Sequence, residues 1–263
     1  MRWWRYLKPA ASALAAAKDG DTITLRGPLD IENADPIEVS KNIILNLNGH
    51  TLSKSREKAL LCILGSNVVI ANGTVRSTCV SKSANAVEVG KFRHTGAKLT
   101  LDNVILEGSI GGGTGVRGRG LFICTGNEAV IMSGKVIGGI YTEGALTMSG
   151  GSAEQLKLGL LDNIPVTLSG GSFDSIKIGN DADYQSLLAG GYAYQKKDGA
   201  WVKLSEMNEN TAVTVVKCSH PDDHSGGNVC PYCGCAAEVT KKDGSISYHR
   251  TTEAAIAAAG GGT

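Results

Sequence analysis

Short stretches of alternating apolar and polar residues run through most of the chain, separated by turns of Gly, Asn and Ser. The clearest are residues 146–159 and 166–179, whose sequences LTMSGGSAEQLKLG and VTLSGGSFDSIKIG match in pattern over their whole length. Alternation places every second side chain on one face of a strand. The pattern predicts one structural unit of two strands joined by a Ser-Gly-Gly turn, present twice in succession.

Looser versions of this unit occur upstream at residues 41–52, 66–75, 97–108 and 128–139. A unit this small cannot bury its apolar face alone, so successive units must stack, with strands parallel from unit to unit. The sequence therefore predicts an all-β fold, a right-handed parallel β-helix over residues 21–205. A sandwich of antiparallel hairpins with turns at Asn48 and Asn72 is the alternative, although a sandwich needs no recurrent unit.

The sequence predicts different structures at the two ends of the stack. Alanine-rich residues 10–17 favour a short helix, which would make residues 1–20 an N-terminal cap over the open sheet end. A signal peptide is the alternative there, but the apolar segment is weak. At the other end Asp198-Gly199 predicts a hairpin that brings Tyr192, Tyr194 and Trp201 together. These rings are expected to plug the last unit, with a sugar-stacking site as the alternative.

Four of the seven cysteines lie in residues 206–245, in the pattern Cys218-x-His220 followed by Cys230-x-x-Cys233. Two close pairs of thiolate and imidazole ligands suit a tetrahedral zinc ion. The spacing predicts a small zinc-ribbon-like module with a structural zinc held by Cys218, His220, Cys230 and Cys233. The nitrogen ligand could instead be His224.

Two other interpretations of the tail cysteines remain open. Disulfides that include Cys235 would be expected in an oxidising compartment, and the Cys-x-x-Cys pair could be redox-active. The remaining cysteines lie singly in or beside apolar strand segments, where a free thiol acts as a small core residue. They are Cys62, Cys79 and Cys124.

Residues 246–263 resemble the start of the chain. Tyr248 aligns with Tyr6, and at the same offset Ile256 aligns with Leu14. This predicts the beginning of a truncated next repeat. A C-terminal helix of a single-copy protein is the simpler alternative.

Charge and hydropathy exclude some partners. The chain has 26 Lys and Arg against 25 Asp and Glu, a net charge of +1, so no bulk field favours nucleic acid. No apolar run reaches the roughly 20 residues that a membrane span needs, and membrane insertion is not expected.

Several segments together resemble a known group of proteins: AAAKDGDTITL, KNIILNLNGHTLS, LLAGGYAYQKKDGAWV and CSHP followed by CPYCG. They are similar to the pectate-lyase-like β-helix segments of large surface proteins from gut Firmicutes, and the resemblance covers nearly the whole chain. It implies an extracellular or cell-surface location, adhesion, and binding of a polysaccharide or host glycan.

The β-helix fold also hosts polysaccharide lyases and glycoside hydrolases, so fold alone does not exclude catalysis. A lyase needs a base beside a carboxylate-bound cation, and a hydrolase needs paired carboxylates; neither arrangement is visible. Basic residues on two predicted loops are weak catalytic candidates, although solvated loop tips explain such charges without any catalytic role: Lys91, Arg93, His94, Arg117 and Arg119. We expect a non-catalytic structural or glycan-binding protein, with a lyase or hydrolase and a ligand-free spacer as the alternatives.

Overall fold

The computed structural model describes residues 9–31, 35–80, 83–110, 117–161, 163–178, 183–219 and 229–260. In these residues the protein is mostly sheet, which confirms the all-β prediction. The helices are α1 (Pro9–Ala16) and α2 (Thr252–Gly260), and two 3₁₀ turns cover Tyr184–Leu187 and Leu204–Glu206. Within the described ranges, neither helix is long and apolar enough to cross a membrane.

The strands are β1 (Thr22–Thr24), β2 (Leu29–Ile31), β3 (Ile37–Val39), β4 (Ile44–Asn46), β5 (Thr51–Lys54), β6 (Leu61–Ile63), β7 (Val68–Ser77), β8 (Val87–Val89), β9 (Lys98–Glu107), β10 (Leu121–Ile123), β11 (Glu128–Ile131), β12 (Gly134–Ile137), β13 (Ile140–Thr142), β14 (Ala145–Met148), β15 (Ser152–Leu158), β16 (Val166–Leu168), β17 (Ser172–Lys177), β18 (Tyr192–Gln195), β19 (Trp201–Val202), β20 (Val213–Lys217), β21 (Ala237–Thr240) and β22 (Ile246–His249).

The first 17 strands form three ladders of parallel pairs within one large sheet of 20 strands. The first ladder joins β1, β4, the start of β7, the start of β9, β11, β14 and β16. The second joins β2, β5, the ends of β7 and β9, β12, and the starts of β15 and β17. The third joins β3, β6, β8, β10, β13 and the ends of β15 and β17. The chain visits the ladders in the same cyclic order throughout, and an antiparallel sandwich is not the fold.

The register of the ladders confirms the repeat seen in the sequence. Leu146 pairs with Val166 and Leu156 with Ile176, as the alignment of the two units predicts. Elsewhere the spacing between paired residues varies. Fewer residues of the chain separate the paired positions Val130 and Thr147 than separate Leu146 and Val166. More residues separate the paired positions Val69 and Thr100. The strands keep their register while the loops between them differ in length.

Alternation along each strand builds the core. In β9 the side chains of Leu99, Leu101, Val104 and Leu106 are buried, and those between them are half-buried or exposed. The alternation shifts by one residue at Asn103, whose backbone is left-handed with φ 54°. Asparagine tolerates this conformation better than most residues, so one continuous strand turns there from the first ladder to the second.

Helix α1 lies at the start of the ladders. Its observed bounds agree with the predicted residues 10–17 to within one residue at each end. Leu14 packs against the main apolar core, and Lys41 Nζ donates a hydrogen bond to the carbonyl of Ala17. These contacts attach the helix to the first strands.

The far end of the ladders is closed by antiparallel strands. The predicted hairpin is present, because β18 pairs with β19 through Tyr194 and Val202 across the turn that contains Gly199. Tyr194 is fully buried, and its hydroxyl donates to the carbonyl of Tyr184 at 2.9 Å. Tyr194 plugs the core, as the sequence predicts, and is not available to stack on a sugar, and Tyr192 packs against the same core. Trp201 does not join them, because its ring packs against Tyr232.

Strand β20 lies in the residue range that the sequence assigns to the separate tail module, yet it belongs to the large sheet. It pairs antiparallel with β17 at Val213 and Thr214, and with β18 from Thr214 to Lys217. After it, β21 and β22 form an antiparallel hairpin that leads into α2. Ile256 of α2, which aligns with Leu14, is 67% exposed, whereas Leu14 packs on the core.

Candidate metal centre

Strand β20 carries the first tail thiol to the end of the sheet. Cys218 follows Lys217, the last residue of that strand, and its N–H donates to the carbonyl of Gly191 at 2.8 Å. Only 3% of Cys218 is exposed. The pairing of β20 with β18 therefore holds this side chain at a fixed point beside the sheet.

A tight turn carries the other tail thiols. The Cys230 N–H donates to the carbonyl of Cys235 at 3.0 Å, and the Gly234 N–H donates to the carbonyl of Cys230 at 2.8 Å. Gly234 has φ 70°, a left-handed backbone that glycine adopts without strain. Gln185 Nε2 donates to the Gly234 carbonyl at 3.1 Å, which docks the turn on the 3₁₀ turn near the end of the ladders.

The structure brings together three of the four predicted ligands. The Sγ atoms of Cys218, Cys230 and Cys233 all lie within 4.8 Å of one another, and all three residues are buried. The Sγ atoms of Cys218 and Cys230 are 3.9 Å apart. Tetrahedral zinc at its usual Zn–S distance separates two sulfur ligands by about 3.8 Å. This separation is compatible with two ligands of one ion, and all seven cysteines are free thiols.

The sequence and the structure suggest different residues as the fourth ligand. The predicted ligand His220, and His224 with it, lie outside the described residues. Cys235 lies in the same buried cluster as the other three tail cysteines and is 7% exposed. The sequence suggests Cys235 only as a disulfide partner, although its position just after Cys233 and Gly234 offers a fourth sulfur.

The electrostatic environment favours a thiolate at this cluster. A hydrogen bond from the Cys233 thiol lowers the pKa of Cys235, against the effect of burial, and the Gly191 backbone and the nearby Arg250 guanidinium act in the same direction. The same contact and burial raise the pKa of Cys233. A metal binds thiolates and displaces their protons, so a site with one sulfur already prone to ionise suits a cation.

The cluster lies where the tail meets the end of the ladders. Arg250 donates to the carbonyl of Gln185 at 2.8 Å, and the rings of Trp201 and Tyr232 pack 6.2 Å apart beside the thiols. An ion held by Cys218 on one side and by the tight turn on the other would join the tail to the sheet. Such a role would be structural if a fourth protein side chain completed the coordination.

The three cysteines of the repeat region lie far along the ladders from this cluster. Cys62 and Cys79 are buried, and Cys124 is half-buried, in agreement with their predicted role in packing. Burial raises the pKa of Cys62 to about 12, and the carboxylates of Glu88 and Glu38 add to the shift. Burial likewise raises the pKa of Cys124 to about 11. These two thiols are neutral at physiological pH.

Cys62 is therefore expected to resist alkylation. The thiolate is the nucleophile, so iodoacetamide at about pH 8 should label Cys62 much more slowly in the folded protein than in urea. Since folding raises this pKa, its stabilising contribution is complete below the unfolded pKa near 9 and is lost as the pH rises towards about 12. Mass spectrometry of the labelled peptides measures how fast Cys62 is alkylated. Equal labelling of folded and unfolded protein would contradict it.

The weak catalytic candidates are held in separate contacts. Lys91 pairs with Glu38 at 2.9 Å, and Arg117 pairs with Glu154 at 3.1 Å. Arg119 lies over the ring of Tyr141. In the described part of the chain, no hydrogen bond or ion pair joins the loop of Lys91, Arg93 and His94 to Arg117 or Arg119.

Comparisons with known proteins return no similar protein: no family model matches the chain, no curated protein matches it, and no solved structure matches it.

Proposed function

We propose that this chain is a non-catalytic β-helix rod of a secreted or cell-surface protein, with an adhesive role that includes carbohydrate binding. The observation that carries the proposal is the cyclic order in which the chain visits three parallel ladders from β1 to β17. Parallel strands connected in that way wind around one axis, and crossover connections between parallel strands are right-handed in nearly all proteins. The three ladders are then the faces of a right-handed parallel β-helix.

A rod of this kind suits adhesion for a physical reason. Each face presents rows of outward side chains at a constant spacing of about 4.8 Å between neighbouring strands. A linear polymer that lies along such a face meets repeated contacts without any change in the protein. The resemblance to surface proteins of gut Firmicutes supports the same role and location.

A structural zinc at the thiol cluster completes the proposal. Cys218 on the sheet and Cys230 and Cys233 on the tight turn supply three ligands, and Cys235 or His220 supplies the fourth. The ion fastens the described part of the tail, 229–260, to the end of the rod. A module this small has little core of its own, and a metal substitutes for one.

The test of the proposed function compares binding with cleavage. The full chain is run in gels that contain neutral or acidic polysaccharides, and the same mixtures are assayed for new reducing ends and unsaturated products. Slower migration in at least one polysaccharide, with no product formed, is the expected result; the heat-denatured chain is the control. Turnover of any polysaccharide would identify an enzyme, and unchanged migration in all of them would leave only a spacer.

A further inference from the structure

An apolar cavity lies at the start of the ladders, beside α1. Its volume is about 500 Å³, and the exposed Arg26 is part of its lining. The aliphatic lining comes from α1 and from the inward side of the first strands: Ala13, Leu14, Ile23, Leu25, Leu29 and Ile37. We call it the end cavity. Among the described residues, α1 covers this end of the core only in part.

Helix α2, near the other end of the chain, exposes an apolar surface. It packs on β21 and β22, and Ala255 is its buried residue. After Thr252 and Glu253 the helix has no polar side chain, and Ile256 is 67% exposed. A helix that is apolar on all sides is normally buried. The exposed side of α2 therefore has the character of a contact surface.

Helix α1 shows which surface such a helix fits. Residues 13–17 read ALAAA and residues 255–259 read AIAAA, at the same offset that aligns Tyr248 with Tyr6. Leu14, the large aliphatic side chain of the first segment, packs on the core at the start of the ladders. Ile256 occupies the same position in α2 and is exposed. The start of the ladders is thus the surface that this helix pattern matches.

Opposite charges flank the two apolar surfaces. Glu253 lies in the first turn of α2, three residues before Ile256, so both side chains project from one side of the helix. Glu253 is exposed, and Arg26 is exposed at the end cavity. With Ile256 in the cavity, the Glu253 carboxylate can meet the Arg26 guanidinium. Complementary charges beside an apolar contact favour one orientation of the partners.

We propose that α2 docks on the end cavity of a second copy of this chain, with Ile256 inserted beside Leu14 and Glu253 facing Arg26. The two surfaces are different, so the contact is heterologous and each copy can use both of them at once. The copies then associate end to end in an open series. The contact involves one short helix and is smaller than a standard interface, so the association is weak. It does not depend on glycan binding.

Sedimentation of the full chain from about 1 µM to about 1 mM tests the proposal, since that range covers weak contacts. The mean mass should rise with concentration and pass that of a dimer. Ile256→Asp should weaken association by about tenfold or more, because a carboxylate loses its hydration in an apolar cavity. The matched control is Leu160→Asp, which alters a 92% exposed leucine between β15 and β16 and should associate like the wild type. A wild type that stays monomeric at every concentration would overturn the proposal.

Charge reversal identifies the partner surface. Glu253→Arg and Arg26→Glu should each weaken association by about tenfold, since like charges then face each other. An equal mixture of the two variants should recover it, because every contact between unlike chains again joins opposite charges. Both residues are exposed, and circular dichroism checks that each variant is folded. If the mixture stayed dissociated, α2 would have another partner, such as α2 of a second copy, and the end-to-end contact would be excluded.

Deletion of residues 1–8 tests an occupant from the same chain. Those residues precede α1 and include Trp3 and Trp4. Association of the full and the shortened chain with the same strength is the expected result. If residues 1–8 filled the end cavity, the full chain would be monomeric and only the shortened chain would associate, which would also overturn the proposal.

Discussion

Replacing Cys230 by Ser is expected to remove the bound zinc and to release the tail from the end of the ladders. Cys230 is fully buried and lies 3.9 Å, sulfur to sulfur, from Cys218. Structural zinc contributes about 10–16 kcal/mol of binding free energy in zinc-finger peptides, and that energy is coupled to folding of the module. The wild type should carry about one zinc per chain and the variant almost none.

Metal analysis after gel filtration measures the loss, and limited proteolysis or hydrogen exchange measures the release of residues 229–260. The matched control is Cys62→Ser, which alters a buried cysteine of the repeat region and should leave the zinc content unchanged. Full zinc content in Cys230→Ser would contradict the prediction. So would a covalent link between Cys230 and Cys233 in the unreduced wild type.

Replacing zinc with cobalt in the purified protein identifies the fourth ligand. Cobalt in place of zinc gives different visible spectra for four sulfur ligands and for three sulfurs with one nitrogen. A change of spectrum in Cys235→Ser, with none in His220→Ala, would assign the fourth position to Cys235. The opposite pattern would assign it to His220, as the sequence predicts.

Replacing Leu106 by Ala is expected to cost about 2–5 kcal/mol of the free energy of unfolding. Leu106 is fully buried in the second ladder and pairs in register with Val75 and Val136. Truncation leaves a cavity between two neighbouring strands that cannot close without moving both. The effect is large because the core is one continuous column.

Its neighbour on the same strand provides the control. Ile105 points outward and is 40% exposed, so Ile105→Ala should cost about 1 kcal/mol or less through lost strand propensity. Urea unfolding of both variants measures the difference. If both variants lost the same free energy of unfolding, Leu106 could not be the inward-facing residue and Ile105 the outward-facing one.

Local pattern was enough to predict several features of this protein. Alternation identified the buried faces of the strands, and the shared unit at 146–159 and 166–179 predicted the register of the last ladder positions. Alanine propensity located α1, and Asp198-Gly199 located a hairpin. The Cys218 and Cys230-x-x-Cys233 spacing selected three thiols that lie together. Each of these features depends on neighbours in sequence or on a nearly identical copy.

Other features required the tertiary structure. Strand β20 joins the large sheet because β17 and β18 have free edges there, and its own sequence does not indicate that partner. Arg119, Phe122 and Tyr141 meet because loops of unequal length return the chain to the same ladder. The place of Cys235 beside the thiols likewise depends on a turn docked against Gln185.

The sequence by itself determined which residues face inward, since short-range sterics set that pattern. Which outward residues become neighbours was decided only by the tertiary structure, because it depends on how far each loop carries the chain before the next strand pairs.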